Sequence, residues 1–274
     1  MPDPRELMAE MYLQFAEQLA DASGEAIRPW FRSELQVDRK GDGSPVTQAD
    51  RAAETAIRER IADQFPSHGV IGEEYGSERS DSEWVWVIDP IDGTGAFVSG
   101  LPTFGTLIAL IHDGKPLLGV LDQPILNERW SGVSYPGVTR RTTHNSHVVH
   151  TSSTTDLESS IGFATTPEMF RDAAQRAWVA LSSSFERVRY GADCYAYGLL
   201  ASGLVDIVCE ASLKSWDYLA LAPIVEGAGG RMTDWDGEQL TIDSQDRVLA
   251  TATRRLHESA LERLMCVNGQ ADGG

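Results

Sequence analysis

Asp89 and Asp92 stand in the run Asp-Pro-Ile-Asp-Gly-Thr at positions 89–94. Carboxylates held this close repel each other unless a cation joins them. Their hard oxygens suit Mg2+ or Mn2+. Gly93 and Gly95 flank Thr94 and leave backbone N–H groups free for a phosphate. An ordinary Asp-Gly turn or a loose Ca2+ loop has the same spacing, so the pair gains meaning only from other acids. Glu73 and Glu74 lie shortly upstream, Asp50 closes Thr-Gln-Ala-Asp at 47–50, and Asp217 follows Trp216. Glu73, Asp89, Asp92 and Asp217 can make a carboxylate cage for two or three divalent ions, completed by the Ile91 carbonyl.

The surrounding sequence supplies elements to position these groups. Trp-Val-Trp-Val-Ile at 84–88 reads as a buried strand. Pro90 cannot continue a central ladder, and residues 96–98 can open a helix. Val70-Ile71-Gly72 reads as a short strand running into Glu73, so the two strand ends can be neighbours. Thr47 to Asp50 is a capping box, followed by a helical face of Ala53, Ile57, Ile61 and Phe65. Capping alone accounts for Thr47 and Asp50. Asp217 falls in the first turn of a helix over residues 216–228, where its charge is favoured.

Elsewhere, Asp3-Pro4-Arg5-Glu6 opens a helix whose apolar face is Leu7, Met11, Phe15 and Leu19. Residues 106–111 and 117–121 form a hairpin, and 130–133 a further strand. The polar stretch 135–155 marks a boundary between an N-terminal lobe, 1–140, and a C-terminal lobe, 141–274. In the second lobe, strands at 161–164, 205–210 and 248–253 alternate with helices starting at 167, 193, 216 and 257. Such alternation predicts an α/β or α+β layered fold. His144, His147 and His150 read as solvated linker residues that do not share a face. The glycine-rich loop 39–45 reads as a solvated turn or as a mobile loop near the site.

The 274 residues are 42% hydrophobic, enough to bury a large core. A formal net charge of −18 repels nucleic acid and anionic membranes. No apolar stretch is long enough to span a bilayer. The N-terminus lacks the basic start and apolar core of a signal peptide. Cys194, Cys209 and Cys266 form no zinc or redox pattern, which fits a reducing cytoplasm.

Gly72-Glu73-Glu74, the segment 89–94, Trp216-Asp217 and the downstream Glu226-Gly227-Ala228-Gly229-Gly230 resemble the signatures of the inositol monophosphatase family. The resemblance runs from about Lys40 to Gly230. It implies an αβαβα sandwich, Mg2+-dependent hydrolysis of a small phosphate monoester, Li+ sensitivity and a homodimer. By the same resemblance, Glu73, Asp89, Ile91 (through its carbonyl), Asp92 and Asp217 are metal ligands. Thr94 is the hydroxyl beside the attacking water, Asp50 the acid paired with it, and the Gly93 and Thr94 amides the phosphate cradle. Gly95 departs from the commoner larger residue, which loosens the turn.

The expected reaction has one ion, held by Glu73 and Asp89, acidifying a water that Thr94 orients. A second ion, held by Asp89, Asp92 and Asp217, stabilises the leaving oxygen. Residues 97–110, 190–197 and 210–214 are most similar to the bacterial histidinol-phosphate phosphatase branch. L-Histidinol phosphate carries an ammonium and an imidazole, so its pocket should offer acids beyond the metal ligands. Glu210, at a strand end, and Asp193, at a helix start, are the candidates; an edge charge and an N-cap are their plain alternatives. Inositol 1-phosphate, fructose bisphosphate and a 3′-phosphonucleotide are rival substrates. A non-catalytic metal-binding regulator is the rival outside the class, and the complete acid set argues against it.

Overall fold

The structure, a computed structural model, describes residues 3–34, 37–39 and 45–268. Residues 40–44 of the glycine-rich loop lie outside the described residues. Helix α1 (Pro4–Ile27) opens with Asp3, whose carboxylate accepts the Arg5 amide proton at 2.9 Å, and with Pro4 in its first turn. Glu6 does not complete a capping box; it accepts the Thr139 amide and hydroxyl. The buried face of α1 is Ala9, Leu13, Ala16 and Ala20, with Tyr12 and Leu19. Leu7 and Met11 are exposed, contrary to the sequence reading. At about 100° per residue they lie opposite Ala9. Alanines let the helix sit close to its neighbours, so the packing stripe follows small residues.

Strands β1 (Val37–Arg39) and β2 (Pro45–Thr47) pair antiparallel and lead into α2 (Gln48–Gln64). Then come β3 (Gly69–Gly72), β4 (Gly76–Glu78), β5 (Trp84–Asp92), the short α3 (Thr94–Val98), β6 (Gly105–His112), β7 (Lys115–Gln123), β8 (Glu128–Val133), β9 (Arg141–His144) and β10 (His147–Val148). They form an eight-stranded sheet in the order β10-β9-β8-β7-β6-β5-β3-β4. The β3–β5 pair is parallel and the other neighbours are antiparallel. β9 and β10 follow residue 140 yet belong to this sheet, so the chain changes sheets between Val148 and Ile161.

The second sheet holds β11 (Ile161–Ala164), β12 (Arg187–Tyr190), β13 (Ile207–Glu210), β14 (Arg231–Asp234) and β15 (Val248–Thr251), in the order β12-β11-β13-β15-β14. Its helices are α4 (Asp172–Ser182), α5 (Tyr195–Ala201), α6 (Ser215–Tyr218), α7 (Leu221–Gly227) and α8 (Arg254–Asn268). The helix expected over 216–228 is divided into α6 and α7. Pro223 has no N–H for the Leu219 carbonyl, so the ladder is interrupted there. The helix expected from 193 begins at Tyr195, because Asp193 has a left-handed φ of 46°.

Side-chain alternation produces the layers. Trp86, Ile88, Ile108, Leu110 and Val120 face α1 and α2. Val85, Val87, Leu107, Ala109 and Leu121 face the central helices α5, α6 and α7. Val208, Val248 and Ala250 of the second sheet meet that same helical layer, while Ile207, Cys209 and Leu249 pack on α4 and α8. The result is the expected αβαβα sandwich. His144 and His147 are directly opposed across the β9–β10 turn, so these two do share a face. The His144 ring stacks on Trp130 at 4.4 Å, and the His147 Nδ1 contacts the Asn145 carbonyl.

Candidate active site

The site forms where β5 ends. Asp89 pairs with Leu107 and Asp92 with Gly105, so one extra residue bulges from β5. Pro90 sits in that bulge, where its missing N–H costs no ladder bond. The Asp89 carboxylate accepts the Ile91 amide proton at 3.0 Å. Gly93 takes φ 81°, favoured by glycine, and caps α3. A Cβ at Gly93 would lie 2.9 Å from Asp193. At Gly95 a Cβ would meet nothing within 4 Å, so no close contact requires a glycine there.

Three other segments converge on this strand end. The parallel pairing of Gly72 with Ile88 brings Glu73 beside Asp89, close enough for its charge to act on the Asp89 carboxyl. The Glu73-Glu74 turn is held by Glu54 of α2, which the sequence reading did not single out. Glu54 is fully buried and accepts the Glu74 amide at 2.7 Å, the Tyr75 amide at 3.2 Å and Arg58 Nε at 2.7 Å. A Cβ at Gly72 would lie 2.0 Å from the Glu54 carboxylate, which explains the glycine before Glu73. The signal for Glu54 was its i+4 spacing from Asp50, which puts both acids on one helix face.

Asp50 performs two tasks. One oxygen accepts the Thr47 amide at 2.8 Å and the Thr47 hydroxyl at 2.6 Å, closing the capping box. The other lies 3.3 Å from the Thr94 hydroxyl, which also reaches the Ile91 carbonyl at 3.0 Å. Asp217 arrives on α6, anchored by the Lys214 amide at 2.7 Å. Asp92 is anchored by the Cys194 amide at 2.8 Å. Oxygens of Asp89, Asp92 and Asp217 all lie within 4.8 Å of one another.

Burial and then like charge push the Asp89 and Asp92 carboxyls well up from the usual range; Glu73 acts most on Asp89 and Asp217 most on Asp92. Asp217 rises to about 7, again chiefly through burial. Converging acids raised in this way need compensating positive charge. Hard oxygen donors this close together fit a divalent cation.

Glu210, at the end of β13, is buried beside this cluster. It accepts the Thr165 amide at 2.9 Å, the Thr165 hydroxyl at 2.6 Å and the Tyr197 hydroxyl at 2.9 Å. With Asp92, Asp193, Asp217, Cys194 and Leu213 it lines a cavity of about 90 Å³. Asp193 is no N-cap: it packs against Gly93, and its carboxylate lies 3.4 Å from the Thr103 hydroxyl. Burial raises Asp193 to about 6. Larger hollows exist elsewhere, among them one of about 260 Å³ lined by Glu17, Asp21, Asp122, Arg28 and Arg129. There Arg129 pairs with both Asp21 and Asp122 at 2.7 Å.

Comparison with known proteins agrees with this geometry. The model of the inositol monophosphatase family matches residues 8–268. A bifunctional chloroplastic phosphatase, IMPL2, from Arabidopsis thaliana is 45% identical over 90% of this chain and 72% of its own length. A histidinol-phosphatase from Mycobacterium tuberculosis is 37% identical over 92% of this chain and 97% of its own. The solved structure of an inositol monophosphatase from Zymomonas mobilis superposes with a TM-score of 0.85 at 42% identity, covering 93% of this chain and 98% of that one. With its acids gathered at the end of β5 on the αβαβα scaffold, the chain belongs to the inositol monophosphatase family and is a phosphatase.

Proposed function

We propose that this phosphatase hydrolyses L-histidinol phosphate to L-histidinol and phosphate, with Mg2+ as its cation and Mn2+ as a substitute. The observation that carries the substrate is Glu210, a buried carboxylate fixed by three donors next to Asp92 and Asp217. An ionised carboxylate offers about four acceptor positions, so one is left for a substrate cation. A cationic group there favours the charged forms of Glu210 and Asp193 against the burial that raises them. An inositol leaving group has only hydroxyls and gains less from two acids. The relatives named histidinol-phosphatase support this reading, whereas the Zymomonas mobilis structure, named an inositol monophosphatase, keeps inositol 1-phosphate as the rival.

Glu73, Asp89, Asp92, Asp217 and the Ile91 carbonyl would hold the cations. When bound, these supply the positive charge that neutralises the phosphate and acidifies the attacking water. The Gly93 and Thr94 amides receive phosphate oxygens. Thr94 gives its proton to Asp50 and turns its lone pairs to the water, which it orients for in-line attack on phosphorus. A bond forms between the water oxygen and phosphorus as the ester P–O bond breaks. The attacking water releases one proton and the leaving oxygen takes one up, so that one water is consumed and the products are the alcohol and inorganic phosphate. The same reading carries inhibition by Li+, a homodimer and a cytoplasmic setting; among the described residues no helix is long and apolar enough to cross a membrane.

The test is kcat/KM on L-histidinol phosphate, inositol 1-phosphate, fructose 1,6-bisphosphate, a 3′-phosphoadenosine nucleotide and glycerol 2-phosphate, in the wild type and Glu210→Gln. A charge-assisted hydrogen bond is worth roughly 1.5–3 kcal/mol, so Glu210→Gln should cost about ten- to a hundredfold on histidinol phosphate. Glycerol 2-phosphate should lose far less. An equal loss on both substrates, or a preference for inositol 1-phosphate, refutes the assignment.

A further inference from the structure

We propose that Thr106 is a positioning residue for the metal site. Its hydroxyl clamps the Pro90 carbonyl and so fixes the bulge that turns Asp89, the Ile91 carbonyl and Asp92 toward one point. This rests on the carboxylate cluster being the metal site. Thr106 Oγ1 lies 2.8 Å from the Pro90 oxygen and 2.7 Å from Ser23 Oγ. A carbonyl only accepts, and a hydroxyl has one proton. Thr106 therefore donates to Pro90, and Ser23 of α1 donates to Thr106. Both hydroxyls are fully buried, so water cannot replace either bond.

The clamp sits where the ladder register breaks. Between the Asp89–Leu107 and Asp92–Gly105 pairs the register shifts, and Pro90 has no N–H to secure its own position. Ser23 and Thr106 lie on the α1 side of the sheet, while Asp217 arrives from the central helical layer. The bulge is thus held from both sides, by hydroxyls on one and by α6 and the Cys194 amide on the other. Losing the Thr106 hydroxyl frees the Pro90 carbonyl and lets the two aspartates drift apart. Groups that orient metal ligands in this way typically cost 10- to 100-fold in affinity when removed.

The experiment measures Mg2+ affinity by calorimetry in the wild type, Thr106→Val, Thr106→Ser, Ser23→Ala and Asp92→Asn, with the metal-free Tm and the Mg2+ dependence of kcat alongside. Thr106→Val keeps shape and removes the hydroxyl; its affinity should fall at least tenfold. Thr106→Ser restores the donor and should stay within about twofold. Ser23→Ala leaves the Pro90 bond but frees the Thr106 rotamer, and should lose about threefold. Wild-type affinity in Thr106→Val, or an equal loss in Thr106→Ser, overturns the proposal. Should Thr106→Val fail to fold, unchanged affinity in Ser23→Ala overturns it. If the wild type binds no Mg2+, or Asp92→Asn binds as well as the wild type, the metal-site reading itself fails.

Discussion

Glu54→Gln tests how the Glu73 turn is held. Glu54 Oε2 accepts the Glu74 amide at 2.7 Å, and Oε1 accepts the Tyr75 amide at 3.2 Å and Arg58 Nε at 2.7 Å. Glutamine is isosteric, but its NH2 must face one of these donors. At least one bond to a charged acceptor is lost, worth roughly 1.5–3 kcal/mol, and the buried pair with Arg58 is weakened. For a chain of this size, about 3 kcal/mol lowers Tm by roughly 6–12 °C. Because the displaced turn carries Glu73, the Mg2+ concentration for half-maximal turnover should also rise about 10- to 100-fold. Gly72→Ala should reach the same phenotype by another route, since its Cβ would lie 2.0 Å from Glu54. The assay is phosphate release against Mg2+, with Tm measured in parallel. A Glu54→Gln protein with wild-type Mg2+ dependence refutes the reasoning, whatever its Tm.

Asp217, at about 7, must give up a proton to receive a cation below that pH. Mg2+ affinity should therefore fall at least about tenfold from pH 8 to pH 6, with proton release on binding; calorimetry in two buffers checks both, and a flat profile contradicts it. His257 is buried between Thr233 and Thr251, and burial lowers it to about 4. The unfolded chain takes up that proton near 6.5, so stability present above 6.5 is lost as pH falls toward 4. The loss should be about 2.5 kcal/mol between pH 7.5 and 4.5. Denaturant unfolding should show a drop smaller by about that amount in His257→Gln, and an unchanged slope rules the cause out.

What the sequence made legible was what lies close along the chain. Asp89, Asp92, Gly93 and Thr94 share one strand end, and the neighbouring strand carries Glu73 to it through a one-loop connection. The Thr47–Asp50 box was visible because capping is local. Asp217 could be given a helix start by local signals, but its arrival at Asp92 depends on packing across the central layer. The donors on Glu210 come from separate strand and helix segments, Thr165 and Tyr197, and no periodicity points to them. In α1 the large side chains Leu7 and Met11 do not mark the buried face, where alanines do the packing, although Leu19 is buried as expected. The left-handed φ of Asp193 shifts one helix start to Tyr195, and Pro223, with no N–H for the Leu219 carbonyl, divides the helix expected over 216–228 into α6 and α7.

The most direct test of the account is phosphate release from L-histidinol phosphate by the wild type and Asp92→Asn, each with and without Mg2+. Asp92 lies within 4.8 Å of the Asp89 and Asp217 oxygens, and Asn keeps its shape while removing its charge. Mg2+-dependent release is expected from the wild type and none above background from a folded Asp92→Asn. Release by the wild type without divalent ions, or near-normal Mg2+-dependent release by Asp92→Asn, would contradict it.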